Sequence, residues 1–137
     1  MTTSERRADI SFEREVKQVK QHKLRGSLDL SNRNITNSQL KELCESLYGN
    51  NEITALDLRH NLFDDQGVQY LAKLIKSTTS LRRINLDQNW IRDEGVKQLK
   101  YAIMQNQSLV ELKLDEHLAS EDDLEKIEFQ LHEHEKK

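Results

Sequence analysis

Ile53-x-x-Leu56-x-Leu58-x-x-Asn61-x-Phe63 and Leu81-x-x-Ile84-x-Leu86-x-x-Asn89-x-Ile91 bound the stretch that decides the fold. Leu58 and Leu86 lie 28 residues apart, and so do Asn61 and Asn89. Between the two copies Val68, Leu71, Leu74 and Ile75 fall at helical spacing, which returns as Val96, Leu99, Ala102 and Ile103. Two copies in fixed register, with partial copies on both sides, predict a solenoid. Each unit is a short strand, a turn and a helix. Stacked units give a parallel sheet on one face and helices on the other, an α/β fold.

Working outward, the first unit holds Leu28-x-Leu30 and Ile35, then a helix with Leu40, Leu43, Cys44 and Leu47. Arg25 stands in the register of Ile53, and Arg33 in the register of Asn61. Polar residues at such positions are expected beside a cap. Residues 1–10 are polar and are expected to fray. Ser11 is a candidate N-cap for a helix over 11–23, whose stripe is Phe12, Val16 and Val19. That helix would cover the open end of the first unit. Asn37, Asp65 and Asp93 share a register before each helix and are candidate N-caps. Gly67 and Gly95 share another, and Gly49-Asn50-Asn51 ends the first helix with turn chemistry. The fourth unit is Leu109-x-x-Leu112-x-Leu114, with His117 in the Asn register. Ser120 then caps an acidic last helix lined by Leu124, Ile127 and Leu131. The expected organisation is one domain: a cap over 1–24, about four 28-residue units over 25–118, and an acidic cap over 119–137.

Net charge is −3 over 137 residues, which implies no general polyanion partner. The charge is uneven, about +2 over residues 1–24 and −6 over residues 115–137. The single cysteine, Cys44, allows no intrachain disulfide and suits a reducing compartment. There is no apolar leader and no run long enough to span a bilayer. The expected location is cytoplasmic, with export by a route lacking a classical signal left open. A membrane-surface role for the N-terminal helix is disfavoured, because its stripe is short and has acidic neighbours.

The 28-residue LxxLxLxxNxL unit with a full helix resembles leucine-rich repeats of the ribonuclease-inhibitor type over residues 24–118. The resemblance implies a curved horseshoe, strands on the concave side and helices on the convex side, and protein binding as the usual activity. Arg33 and His117 depart from its Asn ladder at the two ends. Residues 106–115, Asn-Gln-Ser-Leu-Val-Glu-Leu-Lys-Leu-Asp, with the helix after them, are also similar to the last repeat of tropomodulin and leiomodin. That family implies binding at actin pointed ends. The long N-terminal region that the family uses for actin and tropomyosin does not precede the repeats here, so this second similarity is taken as shared repeat grammar.

Strand alternation selects the side chains that leave the core. They line up in rows about 4.8 Å apart. The rows are Ser27, Ala55, Arg83, Glu111; Asp29, Asp57, Asn85, Lys113; Ser31, Arg59, Asp87, Asp115; and, nearer the turn, Asn32, His60, Gln88, Glu116. Arg83 is expected to meet Glu111, and Arg59 to meet Asp87. Just after the Asn come Asn34, Leu62, Trp90 and Leu118, each before a core position. Leu62, Trp90 and Leu118 are therefore expected to be exposed side by side. Trp90 is the only tryptophan, a residue type enriched where binding energy concentrates. The candidate binding set is Asp57, Arg59, His60, Leu62, Arg83, Asn85, Asp87, Trp90, Lys113, Asp115 and Leu118.

Enzymatic readings are weak. His60 and Asp57 have no Ser or Cys nucleophile placed beside them, and Cys44 falls on a buried helix face. His117, His132 and His134 match no dedicated metal site. No Gly-rich phosphate loop is present. Basic residues are not interleaved with aromatics, which disfavours nucleic acid. The expected function is a non-enzymatic protein-binding module without cofactor, monomeric or weakly self-associating. A standard interface of about 800 Å² per partner would use most of a four-strand face. An actin-associated or self-assembling element is the second reading. A regulator of a small GTPase is the third, from a looser similarity to the Ran GTPase-activating protein.

Overall fold

The computed structural model describes residues 3–115 and 119–136, with side chains from Ser11 onward. The chain runs α1 (Thr3–Lys20), β1 (Gly26–Asp29), α2 (Asn37–Leu47), β2 (Ile53–Asp57), α3 (Asp65–Ser77), β3 (Arg83–Asn85), α4 (Asp93–Met104), β4 (Glu111–Lys113) and α5 (Glu121–Glu135). The four strands form one parallel sheet in the order β1-β2-β3-β4. Leu28, Leu56, Ile84 and Leu112 are partners across it. Parallel neighbours need a crossover, and each unit's helix supplies one. Most of the predicted apolar positions of the strands and helices form one continuous buried cluster from Phe12 to Leu131, with Leu112 and Leu114 of the last unit only partly buried against it.

Asn61 and Asn89 hold the turns. Asn61 is buried; its Oδ1 accepts from the Arg33 and Ile35 amides at 3.0 Å, and its Nδ2 donates to the Leu30 and Leu58 carbonyls at 3.0 and 2.9 Å. Asn89 repeats the pattern one unit on, accepting from Asn61 N and donating to the Leu58 and Leu86 carbonyls. A second ladder runs along the other edge. The Asn50 and Asn106 side chains each accept from two following backbone amides, and Thr78 does the same between them. The second and third units thus have a polar tie at both ends of their strands, where backbone groups would otherwise lie buried without partners.

The helix starts differ from expectation by one residue. The N-caps are Thr36, Asp64 and Arg92. Asn37, Asp65 and Asp93 are the first helical residues. Asn37 and Asp65 instead join neighbouring units. Each Oδ1 accepts from the amide of the next unit's N-cap, Asp64 N at 2.9 Å and Arg92 N at 2.7 Å. This bond explains the paired glycines. A Cβ on Gly67 would lie 2.5 Å from Asn37 Oδ1, and one on Gly95 would meet Asp65 Oδ1 in the same way.

The caps also depart from expectation. α1 begins at Thr3, so residues 3–10 are helical and Ser11 lies inside the helix, not at its start. Ser11 Oγ instead accepts from Arg33, whose guanidinium also forms two hydrogen bonds with Glu15, at 3.0 and 3.1 Å. Arg33 therefore leaves the Asn register to clamp α1 onto the first unit. At the other end Ser120 caps α5 as expected. Leu124 is only half-buried, while Asp123 and His134 join Ile127 and Leu131 on the inner face. Asp123 accepts from Lys100 Nζ at 2.6 Å, and His134 Nδ1 donates to the Leu109 carbonyl at 2.6 Å.

Two outcomes test this packing. Gly67→Ala gains helix propensity of about 1 kcal/mol but meets the Asn37 oxygen, and we expect a net loss of about 1–3 kcal/mol in urea unfolding. A neutral or stabilising result would remove the inter-unit bond as the reason for glycine. The Lys100 hydrogen bond holds the Asp123 carboxyl below its ordinary range. Stability from that pair is present above the unfolded carboxyl value of about 4 and is lost as pH falls through the lower folded value. Asp123→Asn should flatten the acid side of the stability profile; an unchanged profile would show that the pair contributes nothing there.

Candidate protein-binding face

The concave rows stand as the strand period predicts. Ser27, Ala55, Arg83 and Glu111 are mutual partners, as are Asp29, Asp57, Asn85 and Lys113. Arg83, Arg59 and Lys113 are exposed; Asp57, Asn85, Asp87 and Asp115 are half-buried. Arg83 meets Glu111 at 3.2 Å as expected. Arg59 does not pair with Asp87. Its Nε lies 3.2 Å from Asp57 Oδ2, two residues earlier in the same unit, and its amide donates to the other Asp57 oxygen. Among the described residues Asp87 forms no ion pair, and Lys113 and Arg59 act on it only from a distance. Burial and the neighbouring Asp115 carboxylate raise its pKa, and Asp115 accepts from the Gln88 amide at 2.8 Å.

The row nearest the turn has a different origin. Asn32, His60 and Gln88 have φ values of 56°, 57° and 59°. They occupy the left-handed region, so a tight turn and not strand alternation sets their place. His60 Nδ1 lies 2.9 Å from Asn32 Oδ1. It is engaged with the previous unit's turn, not with Asp57, so no His–Asp dyad forms. Cys44 is buried, and desolvation pushes its thiol up to about 12, the signature of an inert side chain. Among the described residues no cluster of three His, Cys, Asp or Glu is placed to hold a metal, and no helix is long and apolar enough to cross a membrane.

Two depressions break this surface. One, of about 330 Å³, lies over the sheet, floored at Ala55 and edged by Asp29, Asp57 and Arg83. Ala55 is the one residue of the two strand rows without a polar side chain, and that gap makes the depression. The other, of about 400 Å³, lies against Trp90 and is lined by Asp64, Asp65, Gln66 and Arg92. Leu62 is 51% exposed and Trp90 61% exposed. Their backbone amides bond the Ile35 and Phe63 carbonyls of the preceding units, at 2.9 and 3.1 Å, so the two side chains leave equivalent points of adjacent units. Phe63 and Ile91, one residue on, are buried. Leu118, with Glu116 and His117, lies outside the described residues. Sequence reasoning missed four other exposed apolar side chains, Tyr48, Tyr101, Met104 and Phe129. Helical phase alone would have found Phe129, which lies about 200° from Ile127 around α5.

A parallel sheet of 28-residue units, with an Asn ladder under its turns and helices behind, defines a leucine-rich repeat protein. More particularly, the chain belongs to the tropomodulin/leiomodin (TMOD/LMOD) leucine-rich domain family, whose model matches residues 9–129. The match runs from one cap into the other. The similarity at residues 106–115 is therefore part of a family relationship over the chain, and not shared repeat grammar. The relationship is to this family; the ribonuclease-inhibitor repeat type has no support of its own. Among solved structures, the chain is similar to one titled leiomodin-1 actin-binding site 2, with a TM-score of 0.75 at 24% identity over 87% of this chain and 71% of that one. It is also similar to the tropomodulin C-terminal domain of Caenorhabditis elegans, with a TM-score of 0.63 at 15% identity over 91% and 93% of the two chains. No curated protein sequence matches it.

The exposure of the edge has a direct consequence for stability. Leu62→Ala and Trp90→Ala should each change unfolding free energy by no more than about 0.5 kcal/mol. Asn61→Ala, which strands several buried backbone groups, should cost about 2–4 kcal/mol. Equal losses from Trp90→Ala and Asn61→Ala in chemical denaturation would make the indole part of the core.

Proposed function

We propose that this chain is an actin-binding module, holding an actin subunit against its concave rows and its Leu62–Trp90 edge. The observation that carries this reading is the cap-to-cap match to the tropomodulin/leiomodin leucine-rich domain. It is supported by the likeness to a structure titled as an actin-binding site. The geometry suits a docking surface. A stiff sheet presents Arg59, Arg83 and Lys113 among carboxylates, and an exposed aromatic anchor stands at the edge beside a cleft. Charged rows steer a partner and fix its register, while the apolar edge supplies most of the binding energy. Asp57, His60, Asn85, Asp87 and Asp115 take part as the polar surround, and Leu118, which shares the register of Leu62 and Trp90 in the sequence, belongs to the same binding set. The protein works by binding, without a cofactor.

The test is co-sedimentation with filaments and the kinetics of pyrene-actin assembly, for wild type and for Trp90→Ala combined with Arg59→Glu. Wild type should bind actin or alter its assembly, and the double variant should weaken that effect roughly 30-fold or more. A folded wild type with no effect on either assay would exclude actin. Equal binding by both proteins would move the site off this face.

A further inference from the structure

The two ends of the stack carry opposite charge. α1 packs chiefly on α2 and α5 on α4, and the strand order sets them at opposite ends. Residues 11–25 hold five Lys or Arg against two Asp or Glu, and one of the acids, Glu15, is taken by Arg33. Residues 119–136 hold seven Asp or Glu against two Lys. Asp123 is neutralised by Lys100, and the two lysines pair with Asp122 and Glu133. Glu121, Glu125 and Glu128 face water with no cation on them among the described residues.

A solvated cap accounts for those carboxylates but not for Phe129. Its ring is 65% exposed, on the side of α5 opposite the buried stripe. The equivalent phase of α1, opposite Phe12, Val16 and Val19, presents exposed Arg14 and Lys17. We propose that copies of this chain associate head to tail, the α1 face of one seated on the α5 face of the next. The stems and cationic heads of Arg14 and Lys17 cover the Phe129 ring. Glu125 and Glu128 face the same cations. The two surfaces differ, so the contact does not close within a pair and propagates as a chain or ring. Exposed ion pairs bind weakly and are screened, so the association is salt-sensitive.

The experiment is sedimentation velocity over a concentration series, at about 20 mM and about 300 mM salt, with circular dichroism to confirm that each variant is folded. Wild type should self-associate at low salt and dissociate at high salt. Arg14→Glu with Lys17→Glu, and separately Glu125→Lys with Glu128→Lys, should each stay monomeric at low salt. An equal mixture of the two should regain association, because every contact in it again joins opposite charges. Phe129→Ser should weaken wild-type association about tenfold. A wild type that stays monomeric at low salt, charge-reversed variants that assemble like wild type, or a mixture that stays monomeric would each overturn the proposal. None of these results bears on actin binding, which is assayed on the monomer.

Discussion

Buried turn backbone is the constraint on which this structure rests. Each unit must bend sharply after its strand and pack against the next, so its amides and carbonyls leave water. Asn61 and Asn89 meet the demand with one side chain type, accepting from amides of the previous turn and donating to carbonyls of both turns. Asn is suited to this because its amide both donates and accepts on a short stem. Hydrogen-bonding at this point lets the strands stack in register. Register in turn sets the rows of the concave face and brings Leu62 and Trp90 to equivalent places.

At the ends of the stack the same constraint takes other forms. The first unit has no Asn at position 33, and Arg33 reaches back to Glu15 and Ser11 on α1 instead. Its amide is still satisfied, by Asn61 of the following unit. At the other end α5 makes the contacts: His134 takes the Leu109 carbonyl, and Asp123 the buried ammonium of Lys100. Both caps therefore combine an apolar stripe with one or two specific polar contacts. The stripe supplies the burial, and the polar contacts fix how the helix sits, since a misplaced cap would strand a buried charge.

What was legible in the sequence was whatever repeats locally. The 28-residue period gave the strands, the core residues, the parallel sheet and the exposed edge. What was not legible depended on contacts between units. Thr36 and Asn37, or Asp64 and Asp65, are equally competent caps by type; the bond from Asn37 to Asp64 N makes the second of each pair a bridge. The glycines at 67 and 95 were visible as a register, but their cause lies in that same bridge, one unit away in sequence. The pairing of Arg59 with Asp57 and not Asp87 follows from reach back along the chain within one unit, which row-by-row reading ignores. α1 continues N-terminal to Ser11, and a polar helix start leaves no apolar signal to read. The family was legible only as a fragment at residues 106–115, because most of its pattern is common to repeats of this kind.

Concave rows of mixed charge and an apolar edge are common to binding solenoids, and actin is the partner proposed from the tropomodulin/leiomodin relationship. The claim that joins the two is that the partner sits on this face. Hydrogen–deuterium exchange of the chain, alone and with excess actin, tests it most directly. Bound actin should slow exchange over residues 27–32, 55–62 and 83–90 and leave the amides of α2 and α3 unchanged. Protection confined to the convex helices, or none at an actin concentration that binds the chain, would contradict it.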